Sequence, residues 1–253
     1  MTALYSCLRD KVVLITGGAT GIGASMVRTF VQQGCRVAFI DLNAAAGQAL
    51  QAELPAAQVA FSAVDVTDVP ALQQAIETAA SRWGRLDVLI NNVANDQRMP
   101  TAQVTPAQWR QCHAVNLDAA FFATQAALPF LQQQSSAAVI NFSSVVAVTG
   151  KIDMAGYVTA KAGLIGLTKA LAREAGVHGV RVNAVLPGWV RTERQLNSWF
   201  TPEQQQRWLD DSALKRFIQP EDVANLALFL ASEQSAMITG QAIQIDGGIS
   251  LSD

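Results

Sequence analysis

The sequence predicts an α/β protein built on a doubly wound, seven-stranded parallel sheet, in a single domain covering residues 1–253. Three observations lead there. Seven short apolar runs alternate with stretches of helical periodicity, the pattern of strands joined by crossover helices. The first run ends in a glycine-rich turn that opens straight into a helix. The second ends in an acid, Asp41, eighteen residues beyond the last glycine of that turn.

The elements follow in order. Residues 11–16 form a continuous apolar run ending in glycines, which suits a strand covered on both faces. GGATGIG occupies 17–23. Gly17 permits a tight turn, Gly21 lets backbone N–H groups approach a phosphate, and Gly23 allows close packing of helix on strand. Thr20 and Ile22 complete the turn, and the N-terminus of the helix through Ala24, Val27, Phe30 and Val31 favours an anion. Residues 36–41 are the second strand. Asp41 has two competing readings: the carboxylate that binds an adenosine ribose, or the N-cap of a helix over 43–54. The glycine turn upstream favours the ribose. Leu42 and Asn43 are uncharged, and a carboxylate repels a 2′-phosphate, so NAD is expected rather than NADP.

Residues 58–64 read as the third strand, with Asp65 and Val66 at its carboxyl end. A helix over 69–83 stops at Gly84. Residues 86–90 are the fourth strand, and Asn91, Asn92, Val93 and Ala94 sit at its end, where ligands of open α/β sheets gather. The next loop, Asn95, Asp96, Gln97, Arg98, Met99 and Pro100, reads either as a polar binding loop or as ordinary solvated chain. A long helical pattern spans 106–134 with Asn116 in mid-course, a residue poorly suited to a helix interior. It is either exposed or lends its side chain or carbonyl to a site. Residues 139–142 are the fifth strand, and a helix over 154–176 carries Gly163 and Gly166, both expected to allow close packing. Residues 181–186 are the sixth strand, running into PGWVRT at 187–192. A polar segment over 193–215 then breaks the alternation, and at the carboxyl edge of the sheet it suits a substrate lid of about 190–215. Trp199 and Trp208 within it either line a pocket or cover core, with the second preferred. A helix over 220–231 and a strand over 242–245 close the chain.

Composition narrows the function. The chain is 50% hydrophobic and 15% charged with a net charge of -2, enough for a large core and without the basic stripe a nucleic-acid partner needs. No apolar run of about 18 residues appears, so no membrane span is expected. The N-terminus lacks the basic-then-apolar layout of a signal peptide. Cys7, Cys35 and Cys112 are widely spaced without a CxxC pair, so neither disulfides nor zinc are expected, and a reducing cytoplasm fits. With only two histidines, His113 and His178, a metal site is not expected.

The chemistry gathers between the fifth strand and the next helix. Ser144 stands at the strand's end, Tyr157 thirteen residues later, and Lys161 four beyond that. A spacing of four puts Tyr157 and Lys161 on one helix face. A phenol is a poor base at neutral pH, with a pKa of about 10, and a fixed ammonium nearby favours the phenolate. Ser144 is placed to hydrogen-bond the same substrate oxygen. The set suits proton transfer at a carbonyl or alcohol oxygen.

TGGATGIG at 16–23, NNVA at 91–94, Asn116, Ser144, YVTAK at 157–161, PGWVRT at 187–192 and the closing IDGG together resemble the short-chain dehydrogenase/reductase family, over nearly the whole chain. The spacings from Asn116 to Ser144 to Tyr157 to Lys161 match that family's catalytic tetrad. The resemblance implies a Rossmann-like fold, Tyr157 as acid/base, Ser144 orienting the substrate oxygen, and Lys161 lowering the tyrosine pKa and binding the nicotinamide ribose. It implies a relay water held by Asn116, adenine contacts from Asp65 and Val66, and a ribose-side contact from Asn92. Val190 and Thr192 would meet the nicotinamide carboxamide, and Pro187 and Leu42 would also belong to the cofactor site. Ala94 departs from the glycine usual there. NNVANDQR at 91–98 and ERQLNSWFTPE at 193–203 look like bacterial aldose 1-dehydrogenases, although Met99 stands where those neighbours usually carry histidine. The implied substrate is a monosaccharide contacted by Asn95, Ser144, Met154, Tyr157 and Gln195, and family members are commonly homotetramers. Another alcohol or ketone substrate stays open, as does a non-catalytic dinucleotide-binding protein.

Overall fold

The computed structural model describes residues 3–198 and 201–251. Seven parallel strands form one sheet in the order β3-β2-β1-β4-β5-β6-β7. They are β1 (Val12–Thr16), β2 (Arg36–Asp41), β3 (Val59–Ala63), β4 (Val88–Asn91), β5 (Ala137–Phe142), β6 (Val180–Pro187) and β7 (Ala242–Ile245). Every residue of β1, β5 and β6 is buried, as continuous apolar runs between two helical layers require.

Alternation along β1 sorts the two cores. Val13 and Ile15 face α1 (Gly21–Gln32) and α10 (Pro220–Ala231), with Phe30, Val27, Val223 and Leu228. Val12 and Leu14 face α3 (Val69–Trp83), α5 (Ala119–Leu131) and α7 (Ala155–Gly176), with Leu72, Ile76, Ala123 and Leu171. Strand order reverses between β1 and β4, so their carboxyl ends diverge into a crevice.

Local signals explain the remaining ends. Asn43 caps α2 (Ala44–Glu53) by accepting from Ala46 N, and Asp68 caps α3 from Ala71 N. Gly84 stops α3 at φ +70°, a left-handed cap. The helical stretch expected over 106–134 is broken: α4 (Pro106–His113) passes into a π-turn at Ala114–Asp118 before α5 begins. Such insertions often mark functional sites, and Asn116 lies inside this one. By length and composition alone, Pro106–Leu131 is apolar enough to cross a membrane. Here it packs beside α3 and α7, and its Thr124 accepts a hydrogen bond from Asn91 on β4. Short α6 (Val146–Thr149), α8 (Glu193–Ser198) and α9 (Pro202–Asp211) complete the helices.

Gly163 behaves as expected: an added Cβ would lie 3.1 Å from Leu117. Gly166 does not, since nothing lies within 4 Å of that point. Close packing within the chain therefore does not explain it.

Candidate active site

A cleft of about 1190 Å³ runs along the carboxyl ends of the strands. At one end the glycine turn is folded tightly back on itself. Gly17 takes φ +67° and Gly21 φ +53°, and a Cβ on Gly23 would fall 1.8 Å from the Gly17 carbonyl oxygen. Gly17 and Gly18 N–H donate to Ile40 O, while Asn92 Nδ2 donates to the carbonyls of Thr16 and Gly17, at 3.1 and 2.9 Å. Asn92 therefore props the turn from β4. Thr20 precedes α1 without a side-chain cap, and the first turn holds no acid, so its N–H groups suit a phosphate.

Asp41 does not cap α2, because Asn43 does. Its Oδ2 accepts from Ala19 N and its Oδ1 from Asn43 N, both at 2.9 Å. Each oxygen keeps acceptor capacity toward the cleft, whose lining here is Leu42, Val64, Asp65 and Val66 with no cation. Asp65 spends one oxygen on Thr67, and Val66 is buried. Pro187, Val190 and Thr192 form the facing wall, with Thr192 Cγ2 3.2 Å from where a Gly21 Cβ would stand. These features fit a nicotinamide dinucleotide: a close backbone approach for its phosphates and a carboxylate for its ribose.

At the middle of the cleft Ser144, Tyr157 and Lys161 come together, while Asn116 lies outside the lining and reaches it through Asn95. The Ser144 hydroxyl lies beside the Tyr157 phenol and favours its ionised form. Lys161, 1% exposed, donates from Nζ to the carbonyl of Phe142 at 2.7 Å and lies 5.6 Å from the Tyr157 ring centroid. Asn116 grips Asn95 by both backbone groups: its Oδ1 accepts from Asn95 N at 2.9 Å, and its Nδ2 donates to Asn95 O at 3.1 Å and to Cys112 O at 2.9 Å. Both Nδ2 protons and one of the two Oδ1 lone pairs are thus used to pin this loop.

The electrostatics differ from the sequence expectation. Burial drives the Tyr157 phenol above its ordinary value, the Asp96 carboxylate adds to that, and the Ser144 hydrogen bond and Arg194 charge oppose it. Burial brings Lys161 down to about 7, so it is no permanent ammonium. The spacing of four places the pair correctly but carries no information about desolvation. The sign for stability follows. Unfolded Lys161 holds a proton up to about pH 10, while the folded amine sheds it from about 7, so the unfolded state binds more protons and stability rises with pH in that window. Cys35, pushed by burial to about 12, opposes this only above pH 9. Between pH 7 and 9 the wild type should therefore gain about 2 kcal/mol relative to Lys161→Met, read from urea midpoints at each pH.

At the outer end, two expected substrate contacts, Asn95 and Gln195, line the cleft with part of their hydrogen-bonding capacity already used. Asn95 Oδ1 accepts from Gln97 N, turning its side chain into its own loop, and Gln97 lies outside the cleft lining. Gln195 donates from Nε2 to Asp96 Oδ2 at 2.8 Å and accepts from Trp189 Nε1 at 2.6 Å. Both are short polar side chains near backbone or neighbouring partners, which they satisfy first. Met154 is buried and lines the cleft. Trp208 does both jobs weighed for it: it lines the cleft and packs on the core, 6.0 Å from Trp189 between ring centroids. Trp199 lies outside the described residues. Cys112, not singled out from the sequence, approaches Asn116 with Sγ 3.6 Å from Nδ2. Its spacing of four from Asn116 was the available signal. The roles of Asp96 and Arg194 had none.

A glycine turn, an acid closing β2 and a Ser–Tyr–Lys cluster beyond β5 define a dinucleotide-dependent oxidoreductase of the short-chain type. The family model described as enoyl-(acyl carrier protein) reductase matches residues 17–250, and the chain belongs to the short-chain dehydrogenase/reductase family. Among similar proteins, a probable galactose dehydrogenase of Rhizobium meliloti is 43% identical over 96% of each chain. A D-xylose 1-dehydrogenase of Caulobacter vibrioides is 41% identical over 98% of each. A 3-oxoacyl-[acyl-carrier-protein] reductase of Thermotoga maritima is 35% identical over 96% of this chain and 98% of its own. The protein is an NAD(P)-dependent oxidoreductase acting on CH–OH groups.

Proposed function

We propose that the protein is an NAD-dependent aldose 1-dehydrogenase that oxidises the anomeric hydroxyl of a free aldose to a lactone. One observation carries this reading: Ser144 and Tyr157 sit together in a cleft whose outer lining is polar, with Asp96, Gln111, Asn197 and Gln204. A sugar needs several such partners, and sites built from them reject substrates lacking the matching hydroxyls. The galactose and xylose dehydrogenases among the relatives support the same substrate class.

A nicotinamide dinucleotide, held by the glycine turn, Asp41, Asp65, Val66, Asn92, Val190 and Thr192, would supply the acceptor for the hydride leaving C1. Ser144 holds the substrate oxygen O1 beside the phenol. Tyr157, as phenolate, removes the O1 proton, and the O1 lone pair closes the lactone carbonyl as the C1–H bond breaks. Ser144 and Arg194 favour the phenolate. Lys161, pinned by Phe142 O, is half-protonated near neutral pH and passes the proton outward. Asn116 contributes by fixing the 95 loop.

Asp41 is the basis for preferring NAD. Asp41→Arg should lower kcat/KM with NAD by about 10- to 100-fold and raise it with NADP, since a charge-assisted ribose contact is lost and a phosphate partner gained. An unchanged ratio of the two cofactors would remove Asp41 from this role. The substrate class is tested by identifying the product. Incubation with NAD and pentoses or hexoses should give the lactone, trapped as its hydroxamate. Apolar residues Val145, Met154 and Trp189 in the same lining, with the 3-oxoacyl reductase relative, support a second reading, reduction of an acyl ketone. Turnover of a 3-oxoacyl thioester with none of sugars would establish it. A homotetramer in the cytoplasm is the expected context, and half-exposed Trp109 and Phe121 on α4 and α5 support the assembly.

A further inference from the structure

The loop after β4 and the helix α8 are joined mainly through one acidic side chain, Asp96, with a longer contact from Arg194 Nη1 to Ala94 O at 3.5 Å beside it. Asp96 Oδ1 accepts from Arg194 Nη2 at 2.6 Å, and its Oδ2 accepts from Gln195 Nε2 at 2.8 Å. Gln195 Oε1 in turn accepts from Trp189 Nε1 at 2.6 Å, tying the connection to the chain leaving β6. On its other side Asp96 follows Asn95, whose backbone N–H and C=O are both held by Asn116. Contacts therefore run without a break from α8, through Asp96 and Asn95, to the π-turn of the tetrad.

We infer that Asp96 is a positioning residue whose carboxylate clasps α8 over the cleft and couples that closure to the Tyr157 site. The inference rests on the dehydrogenase reading of that site, and it does not depend on the substrate being a sugar. Tyr157 is faced by Lys161 from its own helix, Cys112 from α4, Asp96 from the β4 loop and Arg194 from α8. Two of these four are the clasp. With α8 seated, Arg194 neutralises Asp96 beside the phenol. With α8 lifted, the carboxylate is left alone, and its charge disfavours the phenolate. Proton abstraction is thereby favoured only when the cleft is covered.

The strength of the clasp suits a cover that must open at each turnover. The Asp96 side chain is 19% exposed and Arg194 57% exposed, so water screens their attraction. A buried bidentate pair in this place would hold product in. A solvated pair with one added amide contact biases closure without locking it.

Asp96→Asn keeps the shape and removes the charge, and Arg194→Met leaves the charge unpaired. The acidic limb of the kcat/KM profile should move to lower pH in Asp96→Asn and to higher pH in Arg194→Met, each by about 0.5 pH unit, the size expected from a charge several ångströms away in partly solvated surroundings. KM should rise about fivefold in both, the loss of roughly one hydrogen bond, and in the double variant by much less than the product of the two. Arg194→Lys should restore most of the wild-type profile. Limbs that move together or stay still, or KM effects that multiply independently, would overturn the clasp. Amide hydrogen exchange over residues 193–198 reads it without turnover: both variants should exchange about fivefold faster than wild type, and equal rates would overturn it. A wild type that turns over nothing, with exchange altered as expected, would instead count against the dehydrogenase reading alone.

Discussion

Tyr157→Phe should lower kcat by about 10²- to 10⁴-fold while leaving dinucleotide affinity within about twofold. The phenol oxygen lies beside the Ser144 hydroxyl and is placed to take a proton from a substrate held there. The ring is nearly isosteric without it, so Lys161 keeps its contact with Phe142 O and the cleft keeps its shape. Loss confined to kcat identifies a group acting in the transition state. Equal losses in cofactor affinity would point to a structural role, and near-full turnover would remove Tyr157 as the base. Dinucleotide titration alongside steady-state rates separates these results.

Gly23→Ala should be the most damaging single methyl in the cofactor site. The added carbon would stand 1.8 Å from Gly17 O, 2.8 Å from Gly17 C and 2.9 Å from Gly18 Cα. All three are backbone atoms, so no rotamer change relieves the clash. Either the turn opens or the first turn of α1 unwinds. Overpacking of this kind costs about 3 kcal/mol or more, which corresponds to a fall in Tm of about 6–12 °C for a chain of this size. Dinucleotide binding should weaken by at least tenfold, since the displaced atoms are the phosphate cradle. A variant with wild-type Tm and affinity would show that Gly23 is not the contact between turn and helix.

The sheet was legible because burial on both faces writes itself as continuous apolar runs, and the helices between them as a change of period. The glycine turn was legible residue by residue, since only a missing side chain permits those approaches. Asp41 was ambiguous until Asn43 was seen to hold the cap. The π-turn was not legible: the apolar pattern of 106–134 runs through it, and only the oddity of Asn116 hinted at it. Spacing placed Tyr157 beside Lys161 but could not report how dry their surroundings are, and desolvation sets the direction of both pKa shifts. The substrate end was least legible. Asp96 and Arg194 are both polar loop-side residues, and nothing in the sequence marks residues so far apart as partners. Gln195 and Asn95 both line the cleft, and each also has a partner within the fold that the sequence did not reveal.

The most direct measurement is the rate of nicotinamide reduction with purified protein, NAD or NADP, and a panel of pentoses, hexoses and 6-deoxyhexoses, each paired with its 1,5-anhydro counterpart. Oxidation at C1 predicts reduced dinucleotide with a subset of the free aldoses, faster with NAD, and none with the anhydro sugars, which lack the anomeric hydroxyl. Equal rates with and without that hydroxyl, or silence on every sugar beside turnover of a simple ketone or 3-oxoacyl thioester, would contradict it.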